Sequence, residues 1–254
     1  MQRDGDSEQK EAVRSAFTRQ AESYAASERV ADPEGRRAFV GFVDPAPEAS
    51  VLDIATGPGF VALAFAERVR AVVGIDITPA MLGRAELEGV RRDLANVRFE
   101  LGDVESLPFA DGSFDVVTCG SAFHHFPQPE RVLREMIRVL RPGGRVAISD
   151  ITTSEDAEQA ARHNRIENLR DPSHTRSLPV SELVALGERN GLRTLRTQTV
   201  RRERGLEEWV AISKTPPETV EAVRRLLIAA IEGDSAGIGV WLDGSEPHFW
   251  HTSV

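Results

Sequence analysis

Three aspartates and two glycines are spaced to meet a single ligand. Asp53 lies four residues before Gly57 in VLDIATGPGF (51–60), Asp76 ends the run AVVGID (71–76), and Asp103 ends VRFELGD (97–103). Val51, Leu52, Ile54 and Ala55 form a short apolar run with β-branched members, the pattern of a buried strand. Gly57 and Gly59 then permit a sharp turn on which a ligand can lie almost against the backbone. Each acid stands at or near the C-terminal end of a predicted parallel strand, the edge at which open α/β sheets bind ligands. A carboxylate after the second strand can accept both hydroxyls of a ribose, and one after the third can accept an adenine amino group. An adenosine with a cationic tail meets these demands better than a dinucleotide does.

His124 and His125 follow the predicted fourth strand, where a reacting partner of that ligand would approach. Imidazole titrates near ~6.5, so either ring could take a proton from a hydroxyl, an amine or an acidic carbon. His174 and Arg176, in the DPSHTR loop, could face an anionic group. His248 and His251 alternate with Phe249 and Trp250 and read as structural. No His, Asp and Glu grouping has metal-ligand spacing, so no metal is expected. The single cysteine, Cys119, reads as a small buried hydrophobe.

The elements that must position these residues follow from pattern. Residues 1–10 look disordered, and helical spacing of Val13, Phe17, Ala21 and Tyr24 predicts N-terminal helices before the turn-rich DPAPEAS (44–50). Strands are predicted at 51–55, 71–76, 97–101, within FDVVTCG (114–120), and at 145–151. Helices at 59–69, 79–92 (Thr78 as cap, Pro79 first) and 129–140 alternate with them, RPGG (141–144) ending the last. Beyond lie a helix over 154–170 capped by Ser154, another over 180–190, a strand at 192–200, helices within about 205–234, and a last strand at 248–254. This alternation predicts an α/β fold: a doubly wound, mostly parallel, seven-stranded Rossmann-like sheet. An N-terminal helical lid (1–45) precedes the 50–151 core, and a substrate-side half (152–254) carries a helical insertion before the last strand.

Composition narrows the class. With 254 residues, 41% hydrophobic and 28% charged, the chain reads as one globular domain with additions. A net charge of −9 argues against binding a phosphate backbone, so no nucleic-acid partner is expected. No apolar run reaches the ~20 residues of a membrane span, the N-terminus is too polar for a secretory signal, and cytoplasm is the default.

Taken together, residues 51–151 resemble the class I S-adenosylmethionine-dependent methyltransferases, in the group of ubiquinone/menaquinone-type C-methyltransferases and many small-molecule methyltransferases. The matching pieces are VLDIATGPG, VVGIDITPAML, LGDVESLPF, FDVVTCGSAFHHF and PERVLREMIRVLRPGGRVAISD, and AFTRQAESYA resembles the lid. One departure is Val61, where many relatives carry a third glycine. The resemblance implies that Asp53, Ala55, Gly57 and Gly59 line the methionine part of S-adenosylmethionine. It implies that Asp76 holds the ribose hydroxyls, Ile77 packs on the adenine with Met81 beside it, and Asp103 accepts the adenine amino group. The Val104 N–H would address a ring nitrogen, Ser121 and Ala122 would sit beside the sulfonium, and Tyr24 would close over the cofactor. The implied reaction is methyl transfer to a small-molecule acceptor with release of S-adenosylhomocysteine, His124, His125 and His174 being candidate catalytic groups. A homodimer stays open. So does a cofactor binder that transfers no methyl. A nicotinamide oxidoreductase fits poorly, because Pro58 removes a donor from the turn and Tyr24, the one tyrosine, has no lysine four residues on.

Overall fold

The computed structural model describes residues 2–254, without the side chains of 2–7, 28 and 29. Three helices come first: α1 (Gln2–Ala26), α2 (Glu28–Ala31) and α3 (Pro33–Val43). Residues 2–10, expected without structure, form the first turns of α1, and residue 1 of that stretch lies outside the described residues. Then come β1 (Ser50–Ile54), α4 (Phe60–Ala66), β2 (Ala71–Asp76), α5 (Pro79–Arg91), β3 (Val97–Leu101), β4 (Phe114–Gly120), α6 (Pro129–Val139) and β5 (Leu140–Ser149). The strands form one parallel sheet in the order β3-β2-β1-β4-β5. Val51, Leu52 and Ile54 are wholly buried, as a strand covered on both faces requires. Helix α4, apolar all round, fills one side with Phe65 and Ala62 against Val51 and Val72. This unit comprises 17–123 and 128–149.

The second unit comprises 1–16, 124–127 and 150–254. It holds β6 (Thr152–Thr153), α7 (Ala157–Arg170), β7 (Leu178–Pro179), α8 (Val180–Arg189), β8 (Val200–Gly205), α9 (Leu206–Ser213), α10 (Pro217–Ala230), β9 (Trp241–Asp243) and β10 (Glu246–Ser253). Strand β10 pairs antiparallel with β8 and β9 in a sheet of its own, and β6 pairs with β7. Its core gathers Leu206, Trp209, Val223, Leu227 and Phe249. Among the described residues no helix is long and apolar enough to cross a membrane.

Several expectations are corrected. The parallel sheet has five strands, not seven, because Arg201, Arg202, Glu203 and Arg204 of β8 cannot lie in a sheet buried on both faces. The predicted strand 192–200 forms only at Val200; its alternation has nothing to bury against, and Leu195 is 59% exposed. Helix α6 ends at Val139, and RPGG instead lies inside β5, where the register against β4 slips between Phe114 and Val116. Asp156, not Ser154, caps α7, accepting the Glu158 and Gln159 N–H groups. Asp156 stands directly before the helix, where its Oδ1 reaches both donors, while the Ser154 hydroxyl, two residues earlier, accepts from the Asp156 N–H.

Two glycines set how closely the sheet unit packs. Gly59 has φ +80°, and a Cβ there would stand 2.8 Å from the Ala85 Cβ. Gly74 lies in β2 between Asp53 and Phe99 in register, and a Cβ would meet Phe99 at 2.6 Å and Thr56 at 2.9 Å. Gly74→Ala is therefore expected to cost about 1–3 kcal/mol of unfolding free energy, the usual scale of overpacking, read from urea denaturation.

Candidate functional site

The order of the parallel sheet reverses beside β1: β2 and β3 lie to one side, β4 and β5 to the other. Ligands of such sheets bind at the carboxyl ends of the strands flanking that switch. The chain leaves both strands in left-handed backbone, Ala55 at φ 48° after β1 and Ser121 at φ 56° after β4. Neither is glycine, so each conformation stores roughly 1–3 kcal/mol of strain, a feature that concentrates at functional sites. The Ser121 N–H donates to the Ser149 carbonyl at 2.7 Å, which holds that exit in place.

The acids of this rim are braced from within. Asp53 is buried and accepts from the hydroxyls of Thr56 (2.6 Å) and Thr118 (2.8 Å). Burial still pushes its carboxyl up to about 6. Asp76 accepts the Gly57 N–H on one oxygen and the Thr78 N–H on the other, each at 2.8 Å. Its carboxyl is raised by burial against those bonds. Asp103 accepts the Glu105 N–H at 2.9 Å and so caps its own turn. A Cβ built on Gly57, at φ +55°, would meet nothing within 4 Å, so the turn offers open backbone to a ligand.

The remaining candidates differ in burial. Met81 is 1% exposed in the first turn of α5, Val104 and Ala122 are buried, and Ile77 and Ser121 are half-buried. Tyr24 is half-buried, its ring edge-on to Phe17 at 5.8 Å. One residue escaped the sequence reading. Arg36 of α3 places Nη1 3.5 Å from where a Cβ on Gly120 would stand, and its charge acts on Asp53. No motif marks it; only the packing of α3 brings a cation to this edge. A carboxylate such as Asp76 accepts hydroxyl donors of the kind a ribose carries, and a guanidinium such as Arg36 is the partner a ligand carboxylate would need. These residues fit the cofactor that the resemblance implies.

The histidines belong to the second unit. Asp150, the residue after β5, accepts the His124 backbone N–H (2.9 Å), the Ile151 N–H (2.6 Å) and His124 Nδ1 (2.5 Å). The Nδ1–H donates, which fixes the tautomer and leaves Nε2 as the basic nitrogen. The DPSHTR loop clasps this histidine, because the Thr175 and Arg176 N–H groups both donate to the His124 carbonyl. The His125 ring lies 4.1 Å and the His174 ring 5.3 Å from that of His124, centre to centre. His125 Nδ1–H donates to the Ser173 carbonyl, and His174 Nε2–H to Asn164 Oδ1, both at 2.9 Å. Arg176 is engaged by Glu182 at 2.7–2.8 Å.

Burial works against charging His124, but the charge of Asp150 and the bond to it outweigh burial and hold the imidazole above its ordinary value. Burial pushes His125 down to about 4, with the charge of His124 adding to it, and pushes His174 down to about 3. Three neighbouring rings therefore divide into one that Asp150 makes more basic and two whose neutral forms burial favours. In the sequence Asp150 falls inside the predicted strand 145–151, and the strand-end rule that marks Asp53, Asp76 and Asp103 applies to it equally.

Comparison with known proteins points the same way. A family profile described as a methyltransferase domain matches residues 52–148. The chain is 35% identical over 202 residues to the uncharacterized methyltransferase YcgJ of Bacillus subtilis, covering 80% of each protein. The crystal structure of YcgJ superposes with a TM-score of 0.79 at 29% identity, over 87% of this chain and 97% of that one. The demethylmenaquinone methyltransferase of Thermus thermophilus is 44% identical over 115 residues, 44% of this chain and 51% of the relative.

The His124–Asp150 pair has a pH signature. His124 is held above its unfolded pKa, so the pair stabilises the fold fully below ~6.5, and that contribution is lost as pH rises through the folded value. Asp150→Asn is therefore expected to cost more stability at pH 6 than at pH 9. An NMR titration is expected to show His124 titrating above ~6.5 in the wild type and moving down in the variant, with His125 still neutral at pH 5.5.

Proposed function

We propose that this chain, a member of the S-adenosylmethionine-dependent methyltransferase family, methylates a small molecule whose attacked atom sheds a proton, with His124 as the base that takes it. The family membership rests on the 35% identity to YcgJ across 80% of both chains. The single observation behind the base is the buried His124–Asp150 pair at 2.5 Å, with Nδ1 tied and Nε2 left basic.

When bound, S-adenosylmethionine supplies a methyl group already activated on sulfonium. The work left to the chain is to hold, align and exclude water. Asp76 takes the ribose hydroxyls, Asp103 and the Val104 N–H address the adenine, and Ile77 and Met81 form its apolar slot. Gly57 and Gly59 admit the methionine part, whose carboxylate meets Arg36 and whose ammonium is drawn to Asp53. Ser121 and Ala122 lie beside the sulfonium, and α1 carries Tyr24 over the cofactor as a lid. His124 is the group suited to take the acceptor's proton, since Asp150 orients its ring and stabilises its charged form. Neutral His125 and His174 keep a second positive charge away from it. A small-molecule acceptor accords with the net charge of −9 and with relatives named for demethylmenaquinone.

Two measurements test this. Calorimetry is expected to show S-adenosylhomocysteine binding that Asp76→Ala weakens by about 1–3 kcal/mol, the cost of unmaking buried hydrogen bonds; wild-type affinity in the variant would refute the ribose assignment. With a methyl-labelled cofactor and a panel of acidic-carbon, phenolic and amine acceptors, His124→Asn is expected to lower kcat by about 10²–10⁴-fold with unchanged S-adenosylhomocysteine affinity. A chain that binds the cofactor yet labels no acceptor would instead be a binder.

A further inference from the structure

His163 of α7 is 1% exposed, and neither of its ring nitrogens has a hydrogen-bond partner. A buried imidazole left unbonded is a costly choice where leucine would pack without that cost. Its surroundings supply a reason. Glu167 follows four residues later on the same helix face, with its Oε1 3.6 Å from His163 Nε2. The alternation of β10 turns Phe249 and His251 inward, and His251 Nε2 lies 2.8 Å from the same Oε1. The three ligand atoms lie within 4.8 Å of one another, the one such group of three found among the described residues.

The carboxylate is also held ready. Arg170 bonds Glu167 Oε2 through Nε (3.2 Å) and Nη2 (3.0 Å), and its guanidinium lies over the Trp209 ring at 4.7 Å. That grip leaves Oε1 turned toward the two imidazoles. Asp171, 3.9 Å from Arg170, offsets part of the positive charge that a cation here would meet.

We propose that His163 Nε2, His251 Nε2 and Glu167 Oε1 form a binding site for a divalent cation of the zinc class, joining α7 to β10, with water as the fourth ligand. Two imidazoles and one carboxylate are a borderline nitrogen–oxygen set, which suits zinc and not the all-oxygen preference of calcium or magnesium. Bonds of ~2.0–2.2 Å in a tetrahedron place ligand atoms about 3.3–3.6 Å apart. The His163–Glu167 separation already matches, and the His251–Glu167 separation needs to open by less than an ångström. The site's role is to cross-link a helix and a strand of this unit, and it is independent of the methyl-transfer reading.

The full-length chain, stripped with chelator and dialysed, is to be titrated with Zn²⁺ by calorimetry and with Co²⁺ by visible absorption. The expected result is one Zn²⁺ per chain, intense four-coordinate Co²⁺ bands, and a thermal midpoint raised by Zn²⁺. His163→Leu removes only the 3.6 Å contact with Glu167 and is expected to keep the wild-type circular dichroism, to weaken Zn²⁺ binding at least about 100-fold, and to abolish the midpoint rise. Should that variant not fold, His251→Phe beside Phe249 carries the same expectation. His248→Ala, on the opposite face of β10, is expected to leave binding unchanged. No stoichiometric binding by the wild type, or equal binding after loss of either ligand, would overturn the site.

Discussion

A carboxylate withdrawn from water must be given donors, and in this chain that demand shapes each loop that matters. Asp53 is enclosed by the hydroxyls of Thr56 and Thr118, so it ties the turn after β1 to the body of β4. Asp76 binds the N–H groups of Gly57 and Thr78, so it ties the end of β2 to the glycine turn. Asp150 does the same for His124 and Ile151, and Glu167 for Arg170 and His251. Removing donors from any of these leaves a buried charge, which costs far more than the bonds themselves contribute net. The acids thus fix backbone before they meet any ligand.

What could be read from residues alone divides along the same line. The parallel core was legible, since β1, β2 and β4 are short, largely apolar runs with glycine or acid at or near their ends, and Pro79 opens a helix. Local chemistry sufficed there. It failed where tertiary pairing overrides pattern: Val200 begins a strand only because β10 lies beside it, and RPGG became a bulge because β5 must stay paired with β4. The candidate site divides likewise. The rim acids announce themselves by register with predicted strands, whereas Arg36 beside Asp53 and His251 beside Glu167 are brought together by tertiary packing, which no spacing in the chain encodes.

Strain and burial are placed together. Ala55 and Ser121 adopt left-handed backbone at the two strand exits flanking the switch in sheet order, positions that glycine would occupy more cheaply. Holding them so requires a stiff surround, and β1 with its wholly buried Val51, Leu52 and Ile54 provides it.

The tryptophans are distributed unevenly. Trp209, Trp241 and Trp250 all belong to the second unit, and the sheet unit has none. Trp209 packs edge-on to Phe249 and His251, while Trp241 lies 5.7 Å from His248 and 5.3 Å from Trp250. Emission excited in the indole band is therefore a private channel for one half of the molecule, blind to melting of the other. Set against far-ultraviolet ellipticity, which sums over every helix and strand, it turns an ordinary denaturation curve into a test of whether the two units come apart in one cooperative step or in sequence.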